Sequence, residues 1–545
     1  MLGHETSSVV NLCSTIYVTG NYNPFGNRKT SNKIALHGIF FSDSIMEQRD
    51  RSMFSPAILA ELRDAVTSDG TDGYAPQSGL ITAPNQLQTY ECDGLTAFRV
   101  TPSAVVLPRT TEQVQSVIRI CARNNIPFVA RGSGTGLSGG ALPAEGSVVI
   151  CLSRMNRILN IDLPNQQITV QPGVINANVT AAVSQQGFFY APDPSSQSVC
   201  SIGGNVAENA GGAHCLKYGF TVTHVLEMSV VLPTGEVVTL GSKTPDAPGY
   251  DLLGVFIGSE GTLGVATEMT LRVVRKPETV QVILAAFDTI AAAAQTVSDV
   301  IAAGQLPAAM EIMDRLSIQA AEASVHPNYP VCEALLLIEL DGPRAEVDLQ
   351  MTTVIALARK NGAWETRLAV DEQDRFLIWK GRKAAFAAAG RLSSHYIVQD
   401  GVIPRTTLPA VLEKIAQMAA AANLRVTNVF HAGDGNLHPI VLYCADNPGE
   451  EARAINLSMR ILDVCVEAGG SITGEHGVGR EKQCSMSYMY ADPDLETMQR
   501  VRHAFDPQSI SNPDKLFPTP RLCGERSRGA YVPHNLETSG IAEIF

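Results

Sequence analysis

Arg131-Gly-Ser-Gly-Thr-Gly-Leu-Ser-Gly-Gly140 is the stretch on which the fold turns. It follows a short apolar run, Phe128–Ala130, and contains the spacing GxGxxG from Gly134 to Gly139. That spacing marks a Rossmann fold only when a helix begins inside the loop, so that the positive end of the helix meets a pyrophosphate. Here Pro143 and Gly146 interrupt any helix, and another strand, Val148–Leu152, comes next. The alternative is a loop whose successive backbone N–H groups form an anion nest, glycine allowing close approach and positive φ. A phosphate-bearing cofactor fits such a loop, and nicotinamide is disfavoured. Three more glycine-rich segments point the same way: Ser201-Ile-Gly-Gly-Asn205, Asn209-Ala-Gly-Gly212 and Ile257-Gly-Ser-Glu-Gly-Thr-Leu-Gly-Val265. One such loop is usually a turn. Four in one domain point to an extended cofactor threaded across many backbone segments.

Outward from this loop, strands and helices alternate between Arg99 and Val274. Ala104–Leu107 is an apolar run, Thr110-x-x-Gln113 is a capping-box pattern, and Val114, Val117, Ile118 and Cys121 mark one helical face. Further strand-like runs are Ile168–Val170, Glu227–Leu232 and Glu236–Leu240. Arg275-Lys276-Pro277-Glu278 reads as a hinge, after which the chain becomes richer in alanine and amphipathic helices. Strands are expected near Val280–Ala285 and Leu335–Glu339, a soluble helix over Ala285–Gly304, and an amphipathic helix over Glu451–Glu467. The fold class is α+β, with an atypical, poorly ordered extension over 1–53, one domain over 54–277, a second over 278–519 and a polar tail over 520–545.

At 545 residues the chain exceeds what one core supports. Its 45% hydrophobic and 17% charged content describes a soluble globular protein. A net charge of −13 argues against nucleic acid, whose phosphates need a basic stripe. Local positive charge between Arg375 and Arg391 suits a small anion instead. Eleven cysteines show no CxxC spacing, which disfavours an iron–sulfur cluster or zinc knuckle in this chain. Cys121 and Cys151, inside apolar runs, read as core residues of a reducing, cytoplasmic compartment. No run of about eighteen apolar residues exists to span a membrane. Residues 1–53 lack a basic start followed by an apolar core, and translation from Met46 or Met53 is expected, since Ser55–Ala65 opens the first convincing helix. Mass spectrometry of the natural protein tests that start; a peptide from residues 1–45 would end it.

Near the C-terminus stand His431-Ala-Gly-Asp-Gly-Asn-Leu-His438 and Gly474-Glu475-His476-Gly477. Asp434-Gly435 is a two-residue hairpin signal between the apolar runs Val426–Phe430 and Pro439–Tyr443. Such a turn predicts His431 and His438 as a directly opposed cross-strand pair with Cβ atoms about 5 Å apart. Glu475 would add an oxygen and leave a position open for substrate, as catalytic metal sites do. The plainer reading is a set of hydrogen-bonded loop histidines.

RGSGTGLSGG, YAPDPSS (Tyr190–Ser196), SIGGN, NAGGAHCLKYG (Asn209–Gly219) and IGSEGTLGV together resemble the FAD domain of the vanillyl-alcohol-oxidase-like flavoproteins. HAGDGNLHP and GEHGVGREK resemble the C-terminal domain of the FAD-linked oxidases. The likeness spans residues 54–523. Within the family it is greatest to the catalytic D subunits of bacterial glycolate oxidases, kin of the D-lactate and D-2-hydroxyglutarate dehydrogenases. It implies a two-subdomain FAD-binding domain, then an α+β substrate domain with an antiparallel sheet and a C-terminal helical part. Arg131, Gly132, Ser133, Gly134, Thr135, Ser138 and Gly139 would wrap the FAD pyrophosphate. Pro192, Ser198, Gly203, Gly204, Asn205, Gly211, Gly219 and Val265 would line the ribityl chain and isoalloxazine, with Asn512 also at the cofactor. Thr135 stands near the place where some relatives carry a histidine that attaches FAD covalently, so non-covalent FAD is expected. Asp514 departs from the family, which has glycine there; only the backbone beside Asn512 is put in question.

The resemblance also implies the chemistry. His431, His438 and Glu475 would hold a divalent ion, zinc or manganese, that ligates the substrate. His476 would take the hydroxyl proton, flavin the hydride, and Arg382, on a helix over Asp374–Ala389, the carboxylate. Without the family match, Arg382 reads equally as a solvated helix charge beside Lys380 and Lys383. The expected reaction is glycolate to glyoxylate. Pro439-Ile440 and Val398 offer no partner to a second carboxylate, which favours glycolate or D-lactate over 2-hydroxyglutarate. Electrons would leave through a partner, a second flavin-domain subunit and an iron–sulfur subunit, or to quinone, with peripheral association at the inner membrane through those subunits. The rivals are a D-lactate dehydrogenase using quinone or cytochrome, a non-catalytic flavin-binding electron-transfer subunit, and a flavin-free metal hydrolase, which would be colourless.

Overall fold

Val148, Val149 and Ile150 are fully buried, and a strand without an exposed face belongs inside a sheet covered on both sides. The computed structural model describes residues 54–67, 79–244 and 247–518, and shows that sheet. The expectations for residues 1–53, the start at Met46 or Met53, and the tail over 520–545 fall outside the described residues. The sheet is built from β1 (Leu80–Ile81), β2 (Ala104–Val106), β3 (Phe128–Arg131) and β4 (Val148–Cys151), in the order β1-β2-β4-β3. β4 runs parallel to both β2 and β3. Residues 132–147, which join β3 to β4, contain no helix. The glycine loop therefore crosses between parallel strands without the helix that a dinucleotide fold needs.

Two helices cover this sheet. One, Pro56–Ala65, is capped by Ser55, whose Oγ accepts from Ile58 N at 3.3 Å. The other, Thr111–Arg123, buries Val114, Val117, Ile118 and Cys121. Half of its expected capping box forms. Thr110 Oγ1 accepts from Gln113 N at 3.3 Å, but Gln113 Oε1 takes Arg109 N at 2.7 Å instead of the Thr110 amide.

A second sheet follows, from β5 (Ile158–Asp162), β6 (Gln167–Val170), β7 (Phe188–Phe189), β8 (Val225–Val231), β9 (Val237–Gly241), β10 (Val265–Arg272) and β11 (Val274–Arg275). Five of these form an antiparallel sheet ordered β5-β6-β10-β8-β9, and β7 pairs with β11. That last pairing corrects the expected hinge. Arg275 is held opposite Phe188 and Lys276 N donates to Gly187 O at 2.9 Å, so only Pro277 and Glu278 stand between this pairing and the next strand.

The third sheet has nine strands among the described residues: β12 (Thr279–Phe287), β13 (Ala309–Asp314), β14 (Ala334–Gly342), β15 (Glu365–Leu368), β16 (His395–Val398), β17 (Gly401–Val402), β18 (Arg425–His431), β19 (Asn436–Leu437) and β20 (Pro439–Tyr443). Its main path is β15-β12-β14-β13-β18-β19-β17, with β20 joining β18 to β16. Helices cover both faces, and the strand period of two divides the core between them. Ile283, Ala285 and Phe287 pack with Ala293, Val297 and Leu412 on one side; Val282, Leu284 and Ala286 pack with Ile318, Ile378 and Ala385 on the other. The helix expected from Ala285 starts only at Ile290, capped by Thr289. Ala285–Phe287 continue β12 because each pairs across to β14, and a full ladder outweighs alanine's helical preference. A helical part follows, Glu450–Glu467 and Asp492–Phe505, and the chain then returns to the first sheet. Phe128 N donates to Ile510 O, Asn512 N donates to Phe128 O, both at 2.8 Å, and Ser511 bridges Phe128 beside β3. Among the described residues no helix is long and apolar enough to cross a membrane.

Candidate active site

The loop after β3, the start of the helix Ile202–Glu208 and the turn Gly261–Ala266 surround a cavity of about 410 Å³. Arg131, Gly132, Ser133, Gly134, Thr135, Gly203, Gly204, Asn205 and Val265 line it, as do Arg382, His438, Glu475 and His476 from the C-terminal half. His438 and His476 thus face the space enclosed by the glycine loops, while His431 is not among its lining residues. Glycine at 203 is a packing requirement, because a β-carbon there would lie 2.6 Å from Pro172. Ser201 Oγ is buried near this wall without a hydrogen-bond partner among the described residues.

Other expected cofactor residues stand back from the cavity. Ser138 is fully buried and its carbonyl accepts from Arg480 N and Glu481 N at 2.8 and 3.0 Å. Gly139, at φ +79°, packs on Arg480. The Pro192 carbonyl accepts from Asn176 Nδ2 at 3.1 Å. Ser198 is exposed, and Gly219 turns against Thr223. Gly211 abuts Glu475, whose Oε2 would be 2.8 Å from a β-carbon at 211. Asn512 Nδ2 donates to Gly140 O at 2.8 Å and Glu260 O at 2.6 Å, which ties the end of the chain to the glycine loop. Asp514, in the place of the family glycine, adopts φ +61° on the surface.

The hairpin differs from its expected register. His431 pairs with Asn436 and Asn428 with Pro439, so residues 432–435 form a four-residue turn ending in Gly435 at φ +83°. The turn is longer because Asp434 caps it, its Oδ1 accepting from Asn436 N at 3.1 Å, and Gly433 N donates to Met310 O at 3.1 Å on β13. His438 is therefore diagonal to His431, not opposite. A shift of two residues keeps both on one face, and the rings still meet with centroids 5.1 Å apart.

His431 Nε2 lies 3.3 Å and His438 Nε2 3.4 Å from Glu475 Oε1. Ligands about 2.1 Å from one ion are separated by roughly these distances. His438 Nε2 is also buried without a hydrogen-bond partner among the described residues. A second triad, Asp400, His438 and His476, has the same spread, its ligand atoms all within 4.8 Å of one another. Asp400 is already heavily engaged, chiefly through Oδ2. It accepts from Gly474 N (3.1 Å), Glu475 N (3.2 Å), His476 N (2.9 Å), Thr473 Oγ1 (2.6 Å) and Lys482 Nζ (3.1 Å). It buttresses the Gly474–Gly477 loop, leaving His431, His438 and Glu475 as the set with free donor atoms.

Electrostatics follow from this packing. Burial opposes ionisation of Asp400, yet Lys482, His476 and His438 hold it well below the usual carboxylate range. Glu475, despite burial, is brought to about 2 by His431, His438 and His476. Burial and then His438 push His476 down to about 4, against the pull of Asp400 and Glu475. His476 is thus a neutral imidazole, stacked on His438 at 4.9 Å and 4°. Behind the site, Glu311 Oε1 lies 2.8 Å from His431 Nδ1 and Oε2 lies 2.5 Å from Arg382 Nη2. Arg382 is 4% exposed, on the helix Glu372–Ala388, and its Nε has no hydrogen-bond partner among the described residues.

Residues 102–241 match the FAD binding domain family, and residues 276–516 match the FAD linked oxidases, C-terminal domain. The chain is 49% identical to glycolate oxidase subunit GlcD of Escherichia coli strain K12 over 453 residues, 83% of this chain and 91% of that one. This chain belongs to the FAD-linked oxidases. It is also 34% identical to D-lactate dehydrogenase of Anaerostipes hadrus, over 76% of this chain and 89% of the relative. Among solved structures, p-cresol methylhydroxylase shares the fold, with a TM-score of 0.71 at 19% identity over 84% of this chain and 96% of that one.

In this FAD-linked oxidase, an FAD-linked oxidoreductase of the α+β vanillyl-alcohol-oxidase type, three polar residues escaped the sequence reading. Glu311 is a charge flanked by Met310 and Ile312 in a largely apolar strand, and Asp400 follows β16; both signals were present, but their partners lie far along the chain. The third is His214, inside NAGGAHCLKYG. It sits 3.0 Å from Asp193 and 3.1 Å from Glu339, which outweigh its burial and raise it well above the ordinary imidazole range. Trp379 Nε1 donates to Glu339 at 2.5 Å and Lys383 stands 3.6 Å from Asp193, completing a brace between the two halves. Val398 and Ile440 are cross-strand partners, and neither is among the residues that line the cavity.

Proposed function

We propose that this protein oxidises a small 2-hydroxy acid, glycolate to glyoxylate, with FAD and a divalent ion. The observation that carries the proposal is one cavity walled by the glycine loops and by Arg382, His438, Glu475 and His476. FAD, when bound without a covalent link, supplies the hydride acceptor for the substrate Cα–H. A divalent ion held by His431, His438 and Glu475, for which two imidazoles and a carboxylate suit zinc or manganese, would lower the pKa of the substrate hydroxyl.

The protein's own residues do the rest. Arg382 receives the substrate carboxylate through its unpartnered donors, while Glu311 fixes the guanidinium from behind. His476, neutral in this setting, accepts the hydroxyl proton. Loss of that proton and of the hydride converts the alcohol to a carbonyl. Asp400 fixes the Gly474–Gly477 loop so that Glu475 and His476 hold their places. Electrons leave to a separate partner, a second flavin-domain subunit with an iron–sulfur subunit, or to quinone, with association at the inner membrane through those subunits. The same site suits D-lactate, a reading favoured by the 34% identical relative.

An absorbance spectrum with elemental analysis, before and after anaerobic glycolate or D-lactate, tests all of this. The proposal expects a flavin spectrum, about one divalent ion per chain, and bleaching faster with glycolate. A colourless protein, or a flavin that neither acid bleaches, would overturn it.

A further inference from the structure

Glu208 ends the helix Ile202–Glu208 on the cavity wall, and the chemistry above gives it no task. Its carboxyl lies where two glycine loops meet. A β-carbon on Gly140 would be 2.5 Å from Oε1, and one on Gly477 would run into Oε2. The same β-carbon on Gly477 would be 3.0 Å from Oε1 of Glu260, so the two glutamates flank one glycine. They differ in what they are given. Glu260 accepts from Val478 N at 2.7 Å and Gly479 N at 2.6 Å. Glu208 Oε2 is buried with no hydrogen-bond partner among the described residues.

Two carboxyls this close do not both ionise readily, and the one with amide donors keeps the charge. The proton settles on Glu208. Burial, then the facing carboxylates Glu260 and Asp93, raise it well above the usual range, with Asp400 adding to them and Lys482 opposing. Lys482 is committed to Asp400 at 3.1 Å, and Asp93 accepts from Leu95 N and Ala141 N at 3.0 and 3.2 Å. A neutral carboxyl on a cavity wall is a donor in search of an acceptor. The oxygens of a bound flavin nucleotide, on the pyrophosphate or on the pyrimidine ring, are acceptors.

We propose that Glu208 is a cofactor-binding residue which, as the neutral acid, donates a hydrogen bond to an oxygen of bound FAD. The inference rests on the cavity being the FAD site and adds to it a dependence of cofactor affinity on one proton. Ionisation removes the donor and places a negative charge beside the cofactor, so affinity falls as pH rises.

The test measures FAD affinity by flavin fluorescence on rebinding to stripped protein from pH 6 to 9, for the natural chain, Glu208→Gln and Glu208→Ala. Gln keeps a neutral donor. It should bind within about twofold of the natural chain at pH 6 and lose the weakening at high pH. Ala should bind about tenfold more weakly at pH 6, as for one lost hydrogen bond. Riboflavin in place of FAD separates the two acceptors: a loss that persists with Ala puts the bond on the ring, and one that vanishes puts it on the pyrophosphate. If stripped protein does not rebind, the rate of FAD release from the holoenzymes gives the same comparison. Equal affinity of the natural chain and Ala across the pH range overturns the inference. A natural chain that carries no FAD at all would instead refute the reading of the cavity.

Discussion

Glu311 and His431 face one another across the paired strands β13 and β18, and Glu311 Oε1 lies 2.8 Å from His431 Nδ1. A carboxylate can only accept, so Nδ1 carries a hydrogen donated to Glu311, and Nε2, 3.3 Å from Glu475, is the nitrogen that would ligate an ion. Glu311→Gln removes that charge and also leaves Arg382 without its counter-ion. The variant is expected to hold the divalent ion about 10- to 100-fold more weakly. Chelator competition followed by elemental analysis measures this, and unaltered affinity would show that Glu311 does not orient a ligand.

His476→Ala should leave the flavin spectrum intact while slowing its anaerobic bleaching by substrate about 10²- to 10⁴-fold, the range for a lost general base. Stopped-flow absorbance reads both. Bleaching at the natural rate would remove His476 from the reaction.

Asp400 and Lys482 are both fully buried and 3.1 Å apart, so neutralising one leaves the other uncompensated. Asp400→Asn is expected to lower stability by about 3–5 kcal/mol. Pairing it with Lys482→Met should restore part of that loss without restoring flavin reduction, because the three amides of the Gly474–Gly477 loop still lack their anion. Thermal unfolding and anaerobic reduction, run on both variants, separate the two effects. Full recovery of reduction in the double variant would reduce Asp400 to a charge partner of Lys482.

Glu481, partly buried, is pushed by burial up to about 7, with Asp400 and Asp93 adding to it against Lys482. Its folded pKa exceeds the unfolded one, so the folded state binds the extra proton. Stability from this group is present at low pH and is lost as pH rises towards 7. Glu481→Gln should match the natural protein near pH 4.5 and exceed it at pH 8 by on the order of 1–3 kcal/mol. Unfolding midpoints at the two values check the difference; equal midpoints at pH 8 would contradict the shift.

Much of the fold could be read from local pattern. The absence of a helix after Arg131 follows from Pro143 and Gly146, and the helix Thr111–Arg123 from its apolar spacing. What escaped was set by long-range pairing. The hairpin register depended on Gly433 bonding to Met310, and Ala285–Phe287 became strand because β14 lay beside them. The His, His and Glu set was legible because its members sit in two compact motifs. Glu311 and Asp400 were not, since the first gains meaning only opposite His431, 120 positions away, and the second only under the amides of Gly474, Glu475 and His476.

The return of Ile510–Asn512 to β3 makes the amino-terminal sheet a composite of distant parts of the chain. Its outer border, and the Asn512 side-chain amide that grips Gly140 and Glu260, come from a segment 372 positions beyond Gly140. A variant cut before Ile510 is expected to have an open sheet border and a slack glycine loop, and so to retain its prosthetic group poorly.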